Sequence, residues 1–322
     1  MKRRRDQGSR IDVPTPTKES IESQTSDFIR LTKDSDFDEA TMTKVITWNV
    51  NGLRAISQSK KDFMELFTKE KPDIVCLQET KLSRDVKNID SMGEVEGYSH
   101  YDCIGLKKGY SGTRVYVKKS IHHSVLGYTL DFTTDESSSS TIDDEGRVII
   151  IEFDSIVVVN TYVPNAGDGL KRVDYRVKEW DRKMEGCLQR INTYLTGTGK
   201  NKNVIWTGDL NVAERDYDRY FQKSYTEMGK CAGFSPMERD SFRQILQKND
   251  MVDAFRALYP TAAPVYSFWS YRILGRKNNM GWRLDYFVLQ KSLMKLVADC
   301  FMLPSVLGSD HCPCVLWLKS RV

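Results

Sequence analysis

The stretch Asn203 to Asn211, NVIWTGDLN, sets the pattern for the whole chain. Val204, Ile205 and Trp206 form an apolar run of strand type that stops at Gly208, and the polar Asp209 and Asn211 follow at once. A strand built this way is a rod that holds polar groups at its tip. Five other stretches share the design, each an apolar run ending in an amide or an acid. They are VITWN (Val45 to Asn49), IVCLQE (Ile74 to Glu79), VVVNTYVPN (Val157 to Asn165), WRLDYFVL around Asp285, and LGSDHCPCVLWL around Asp310 and His311. One polar tip is ordinary loop chemistry. Six of them, rich in Asp, Glu, Asn and His, predict one convergent site at the ends of packed strands.

The elements between these runs place them in an α/β fold. Phe63, Leu66 and Phe67 sit at helical spacing between the first two strands. After TYVPN, a stripe of Val173, Val177, Trp180, Met184, Leu188, Ile191 and Leu195 recurs every three or four residues, which predicts a long helix packed on a core. Ser235, Pro236 and Glu238 spell a capping box that starts a further helix, with Phe242, Ile245 and Leu246 facing inward. Between Arg147 and Val163 two β-type runs abut with no room for a helix, so a hairpin is expected and the sheets are mixed. Thr129 to Glu145 is rich in Ser and acids and reads as a surface loop. Residues 43–322 read as one domain.

Residues 1–42 differ in kind. They carry few large apolar residues and no sustained periodicity, so they cannot bury enough surface to offset their ordering entropy and are expected to be disordered. Lys2-Arg3-Arg4-Arg5 opens this tail, either as solvated charge or as a nuclear-import signal or loose phosphate contact.

Composition narrows the function classes. The formal net charge of +4 allows a polyanionic partner without demanding one. The apolar runs fall far short of the roughly 20 residues that span a membrane, and no secretory h-region is evident. The seven cysteines are scattered without a CxxC pair, which argues against a thiolate metal site and for a reducing compartment. Neither GxxxxGK[ST] nor GxGxxG occurs, so nucleotide-driven transfer and Rossmann-type redox chemistry are not expected.

What remains is an assembly of acids, amides, tyrosine and histidine. Glu79 ends a buried-type strand, where an unpaired carboxylate is costly. It needs either backbone donors or a cation, and a site dominated by hard oxygen groups suits Mg²⁺, with Mn²⁺ as substitute. Ser309-Asp310-His311 is no serine triad, because neighbours in one loop cannot present nucleophile, base and orienter in line. His311 is better paired with a distant acid, Asp285, which orients the ring and favours its protonated form. Such a set suits phosphoester hydrolysis.

The motifs WNVNGLRA, DIVCLQETK, GYSG, GRVIIIEFDS, TYVPNAG, YRVKEWD, GDLNVA, FWSYR, GWRLDY and LGSDHCP occur in the order of the exonuclease III-type apurinic/apyrimidinic (AP) endonucleases. The chain resembles the eukaryotic branch of that group, within the endonuclease/exonuclease/phosphatase superfamily, over essentially all of residues 43–322. The resemblance implies a four-layer α/β sandwich, two mixed β-sheets packed face to face with helices outside. It implies a DNA repair endonuclease that cuts 5′ to abasic sites in duplex DNA, leaving a 3′-hydroxyl and a 5′-deoxyribose phosphate. Accessory 3′-phosphodiesterase and 3′-5′ exonuclease activity, monomeric action alongside other base-excision-repair proteins, and a nuclear or also mitochondrial location are implied as well.

Residue by residue, the resemblance makes Glu79 the main metal ligand, with Asn49 nearby and Asp310 in support. Asp209 aligns or deprotonates the attacking water. Asn211, Tyr162 and Asn165 bind phosphate, and His311, held by Asp285, stabilises its developing charge. Phe268, Trp282 and Leu284 match a pocket for a flipped-out sugar lacking its base; by spacing alone they read as core. Lys81, Tyr110 and Arg272 match DNA contacts. Asn51, Arg114, Asp168, Arg272 and Cys231 depart from common family residues. Two rivals share this fold: another phosphodiesterase or phosphatase of the superfamily, such as a tyrosyl-DNA phosphodiesterase or an inositol phosphate phosphatase, and a non-catalytic DNA-binding protein.

Overall fold

Twelve short strands, in a computed structural model of the chain, form two six-stranded sheets. The structure describes residues 41–58, 61–85, 91–132, 144–199, 202–220 and 224–321. The disordered tail expected over residues 1–42 thus lies outside the described residues, apart from its last two, and so does most of the expected loop from Thr129 to Glu145. The strands are β1 (Thr43–Asn49), β2 (Ile74–Gln78), β3 (Tyr98–Cys103), β4 (Thr113–Lys118), β5 (Val125–Thr129) and β6 (Val148–Phe153). They continue as β7 (Ile156–Tyr162), β8 (Asn203–Asp209), β9 (Met251–Asp253), β10 (Asp285–Gln290), β11 (Val297–Met302) and β12 (Cys314–Leu318).

One sheet runs β11-β12-β1-β2-β4-β3 and the other β5-β6-β7-β8-β10-β9. Within each, one pair is parallel, β1 with β2 and β7 with β8, and the other pairs are antiparallel. The hairpin expected between Arg147 and Val163 is β6 with β7. Both faces of the central strands are buried, so alternate residues serve different layers. Val45, Cys76, Val158, Ile205, Phe287 and Leu316 fill the space between the sheets. Trp206 points the other way, onto Met184, Leu188 and Phe242 of the outer helices Asp181–Gly197 and Pro236–Lys248. Trp48 and Leu77 likewise meet Phe63, Leu66 and Phe67 of helix Lys61–Glu70. Helix, sheet, sheet, helix is the four-layer sandwich expected.

The parallel and antiparallel pairings decide where the tips go. β1, β2, β7 and β8 run towards one end of the sandwich and deliver their last residues there. β10 and β12 run against β8 and β1, with Asp285 opposite Asp209. Their polar residues therefore stand at the start of the strand (Asp285) or just before it (Asp310 and His311) rather than at its end, which corrects the expectation of six terminal tips. The convergence is unaffected, because reversing a strand also swaps which of its ends arrives.

Two further corrections concern local structure. The long helix is not a uniform stripe: a π turn at Tyr175–Trp180 precedes Asp181–Gly197. The wider turn rotates the face, so Val173 and Val177 are only half buried while Arg176 is buried. Arg176 donates from Nε to Asp181 (2.8 Å) and from Nη1 to the Pro164 carbonyl (3.1 Å), interactions that reward the rotation. The capping box is as read, with Ser235 accepting from the Glu238 amide. Phe242 and Ile245 are buried and Leu246 packs at the margin.

β8 does not stop at Gly208 but passes through it to Asp209. Gly208 has φ +134°, and a Cβ placed there would lie 1.9 Å from the Thr161 carbonyl oxygen on β7. Here a glycine within a strand marks close backbone approach. Gly208→Ala is expected to cost more than about 1 kcal/mol and to lower the unfolding midpoint. An unchanged midpoint would contradict the close approach.

Candidate active site

At the shared end of the sandwich the chain adopts left-handed backbone at Asn51 (φ +49°), Glu79 (+50°), Lys81 (+52°), Ser111 (+54°) and Asn211 (+48°). Such residues are strained, and their clustering is a mark of functional sites. Here each one turns a chain that has left its strand, so that the side chains of successive tips face one another.

Asn49, the last residue of β1, sits in the middle. Its Nδ2 donates to Glu79 Oε1 at 3.0 Å and to Asp209 Oδ2 at 2.9 Å, joining the tips of three strands. Its Oδ1 accepts from the Asn51 amide at 3.0 Å. In this arrangement Asn49 serves the carboxylates as a donor, and its oxygen is turned away from them. One layer deeper, Gln78 Nε2 donates to Asn160 Oδ1 (2.7 Å) and Thr47 Oγ1 (2.9 Å), an amide bridge that ties the two sheets just beneath the site.

Asp209 is 2% exposed. It accepts from Asn49 and from the Asn211 backbone N–H (3.0 Å). Burial pushes its carboxyl up to about 7, although the His311 charge opposes this. His311 Nε2 lies 3.8 Å from Asp209 Oδ2, and its Nδ1 donates to Asp285 Oδ2 at 2.8 Å. Burial lowers the affinity of the imidazole for its proton, but Asp285 and Asp209 outweigh burial and raise it to about 10. His311 is therefore an imidazolium at neutral pH, as the expected pairing with Asp285 requires. Ser267 Oγ accepts from the amides of Leu284 and Asp285 and fixes the entry to β10. On the other side Trp48 Nε1 donates to the His311 carbonyl (3.1 Å), and Ser309 Oγ to that of Asn49 (2.7 Å).

Glu79 is the second carboxylate. Burial pushes it up, yet the Asn49 hydrogen bond and the Lys81 ammonium, 3.0 Å from Oε2, together hold it below the ordinary glutamate value. Burial and the charges of Glu79 and Asp209 keep the Tyr162 phenol protonated well beyond its usual range. Arg147 lies over the Tyr162 ring, 4.6 Å from its centre, and donates to the hydroxyl of Tyr110 (2.8 Å). Asn165, exposed at the rim, donates to Asn211 Oδ1 (2.9 Å), and Asn211 donates to the Val163 carbonyl (2.9 Å). Asp310 accepts from Asn51 Nδ2 at 3.0 Å, and Asn51 Oδ1 accepts from Lys81. Asn51 thus links the Glu79 and Asp310 sides, a role that its place in WNVNG did not reveal.

A hard cation fits this donor set in one manner only. Among the described residues no group of three or more His, Cys, Asp or Glu is arranged as a cage. Glu79 is held ionised and already recruits one cation in Lys81, and Asp310 offers a second carboxylate across Asn51. Mg²⁺ commonly takes one or two carboxylates and completes its shell with water and substrate phosphate.

The apolar residues gather beside His311. Phe268 packs on its ring with centroids 4.8 Å apart, and Phe268 forms isolated bridges to both Trp282 and His311. Leu284 is buried with Ala213, Met228 and Phe234, while Phe268 and Trp282 cover that cluster and stay partly exposed. So the three pocket residues are neighbours, two lining a surface and Leu284 behind them. Of the expected DNA contacts, Arg272 is exposed, whereas Lys81 and Tyr110 are half buried and engaged as described. Arg147 and Arg219 at this end were missed, because each belongs to a motif or loop whose spacing gives no sign of the partner.

Two sheets ending in acids, an imidazolium and amides define a phosphoester-cleaving class, and the chain belongs to the endonuclease/exonuclease/phosphatase family, whose pattern it matches over residues 46–311. Within that family its likeness is to AP endonucleases and exodeoxyribonucleases. It is 41% identical over 277 residues to a DNA-(apurinic or apyrimidinic site) endonuclease of Dictyostelium discoideum, covering 85% of this chain and 70% of the relative. It is 39% identical over 270 residues to an exodeoxyribonuclease of Bacillus subtilis, covering 84% and 97%. The crystal structure of an AP endonuclease from Leishmania major superposes with a TM-score of 0.85 at 44% identity, covering 95% of this chain and all of the other.

Proposed function

We propose that this chain is a DNA repair AP endonuclease that hydrolyses the phosphodiester 5′ to an abasic site in duplex DNA, leaving a 3′-hydroxyl and a 5′-deoxyribose phosphate. The observation that carries the reading is the facing pair of Asp209 and protonated His311, 3.8 Å apart, with Phe268 against the imidazolium and Trp282 bridged to Phe268. Asp209 accepts a proton from the attacking water, and its donors, Asn49 and the backbone and side chain of Asn211, aim it. His311, its charge shared with Asp285, stabilises negative charge developing on the phosphoryl oxygens. The Asn211 and Asn165 amides and the Tyr162 hydroxyl are the neutral donors that seat the phosphate. Glu79 and Asp310 carry the oxygens for Mg²⁺, which, when bound, neutralises phosphoryl charge. Phe268, Trp282 and Leu284 accept the bare sugar, which flips out at least cost where no base is stacked. The same site serves 3′-phosphodiesterase and 3′-5′ exonuclease activity at strand ends. A monomer acting in the nucleus, among other repair proteins, completes the reading, with the Lys2 to Arg5 run as its support.

Cleavage of a duplex with one abasic site, beside the same duplex undamaged, tests this. Strong preference for the abasic strand, abolished by chelator and restored by Mg²⁺, is expected. Equal cleavage of both duplexes, or hydrolysis of an inositol phosphate instead, favours the rival phosphoesterases, and no cleavage favours the binding protein.

The pH dependence follows from the same pair. Activity needs Asp209 as carboxylate and His311 as imidazolium. Asp209, raised to about 7, gains its proton as pH falls through that value, and His311, raised to about 10, loses its proton as pH rises through that value. A bell-shaped kcat/KM with a plateau between those limits is expected, the two apparent values belonging to the coupled site. A profile flat from about pH 5 to pH 8 would contradict the protonation states assigned.

A further inference from the structure

Arg219 follows the short turn Asp216–Asp218 and forms an isolated bridge with Trp282. Its guanidinium carbon lies 3.6 Å from the centre of the Trp282 ring and 5.4 Å from that of Phe234. Every fully buried arginine among the described residues has a carboxylate: Arg114 with Asp102, Arg147 with Glu145, Arg176 with Asp181, Arg239 with Asp216, Arg256 and Arg283 with Asp218. Arg219, half buried, has none among the described residues. Its Nη1 reaches the Met228 carbonyl at 3.5 Å, its buried Nε has no acceptor, and the side chain beside it is the Cys231 thiol rather than a carboxylate. Arg276, stacked on Trp269 rather than on a pocket residue, also lacks a carboxylate and leaves its Nε and Nη2 without an acceptor, while its Nη1 donates to the Val306 carbonyl at 3.1 Å.

An arginine taken partly out of water without a counter-charge costs the folded state energy. Burial accordingly lowers the affinity of Arg219 for its proton. The fold nevertheless holds the group in place. Asp218 is gripped by Arg283 at 2.8 Å through both oxygens, the Arg283 amide donates to the Asp218 carbonyl (2.7 Å), and the Tyr220 amide donates to that of Gly281 (2.8 Å). The chain on each side of Arg219 is thus fastened to the chain on each side of Trp282. A planar cation, flattened on an aromatic wall and lacking an anion among the described residues, is a site prepared for one.

The position names the anion. Trp282 is a wall of the proposed sugar pocket, and a Cβ built on Gly233 would lie 3.2 Å from that ring and 3.3 Å from the Asn211 carbonyl oxygen. Arg219 therefore stands beside the pocket on the side of the phosphate-seating loop, where DNA supplies a charge at every nucleotide. We propose that Arg219 binds a backbone phosphate of the abasic strand adjacent to the one cleaved, clamping the strand against the Trp282 wall. This rests on the AP endonuclease reading and adds to it a residue outside its site set.

The full chain, as wild type, Arg219→Leu and Arg219→Lys, tests it by binding to a duplex carrying an uncleavable tetrahydrofuran abasic analogue, in chelator, over a salt series. Leucine keeps contact with Trp282 and removes the charge; lysine keeps the charge. Loss of one phosphate contact reduces the slope of log K against log[salt] by about 0.9. The expected results are that reduction for Arg219→Leu, with roughly tenfold or more weaker binding at low salt, and a retained slope for Arg219→Lys. A second measurement replaces each phosphate flanking the analogue, one at a time, by an uncharged methylphosphonate. Wild type is expected to weaken at one position to which Arg219→Leu is indifferent. A wild-type slope in Arg219→Leu, or equal sensitivity of both proteins at every methylphosphonate, overturns the proposal and leaves Arg219 as a prop for Trp282. A wild type that binds the analogue no better than undamaged duplex instead sinks the endonuclease reading.

Discussion

Asp209→Asn and His311→Asn are each expected to lower turnover on an abasic duplex by about 10² to 10⁴, the usual worth of a positioned acid–base group. Asp209→Asn keeps size and polarity, His311→Asn keeps a polar donor in place of the ring, and both leave the surrounding phosphate contacts available, so affinity falls far less than rate. Phosphate contacts and the pocket supply most of the binding. The two losses are not expected to add. Asp209 and His311 face each other as one ion pair, and once either is neutral the other loses the partner that sets its protonation. A double variant only marginally slower than the single ones is the predicted result in single-turnover kinetics. Asp209→Asn should also remove the acid limb of the pH profile, while His311→Asn removes the basic one. Fully additive losses, with both limbs intact in both variants, would show that the pair does not act as argued.

The second large effect lies behind the pocket. Arg283 is fully buried, donates through Nε and Nη2 to Asp218 at 2.8 Å and meets Asp253 at 2.7 Å, while Arg256 also grips Asp218. Burial alone would raise the Asp218 carboxyl, but Arg283 and Arg256 bring it down to about 2. Breaking a buried pair from one side leaves the partner charge uncompensated and costs about 3–5 kcal/mol. Arg283→Met is expected to lower the denaturant midpoint by a corresponding amount. The sign with pH is set by a depressed carboxyl. In wild type the stabilisation from Asp218 is fully present above the ordinary aspartate value and is lost as pH falls through about 2. Without Arg283 the loss begins at higher pH. Equal stability of wild type and Arg283→Met across pH 3–7 would mean the network is energetically idle.

Much of this was legible in the chain because strand tips are local. An apolar run followed by an acid or amide states both the strand and the group it presents, so Asn49, Glu79, Asp209, Asp285 and His311 were readable one by one. Their meeting was not, since it depends on which strands run antiparallel; β10 and β12 bring the starts of their runs to the site where the others bring their ends. The π turn at Tyr175–Trp180 was hidden for a similar reason. Periodicity favoured Val173 and Val177, and the winning interaction, Arg176 with Asp181 and the Pro164 carbonyl, is a buried polar contact that no apolar pattern encodes. Asn49 read as a ligand and is placed as a donor between two carboxylates. Arg219 carried no motif at all, and its isolation from every described carboxylate is visible only in three dimensions.

The central claim is that water attacks phosphorus at a site built from Asp209 and His311. Cleavage of an abasic duplex in ¹⁸O-enriched water, followed by mass analysis of both new ends, tests it most directly. The account predicts one ¹⁸O on the phosphate of the 5′-deoxyribose phosphate end and an unlabelled 3′-hydroxyl on the other. An unlabelled phosphate with a 3′-unsaturated aldehyde would mark a lyase and contradict it.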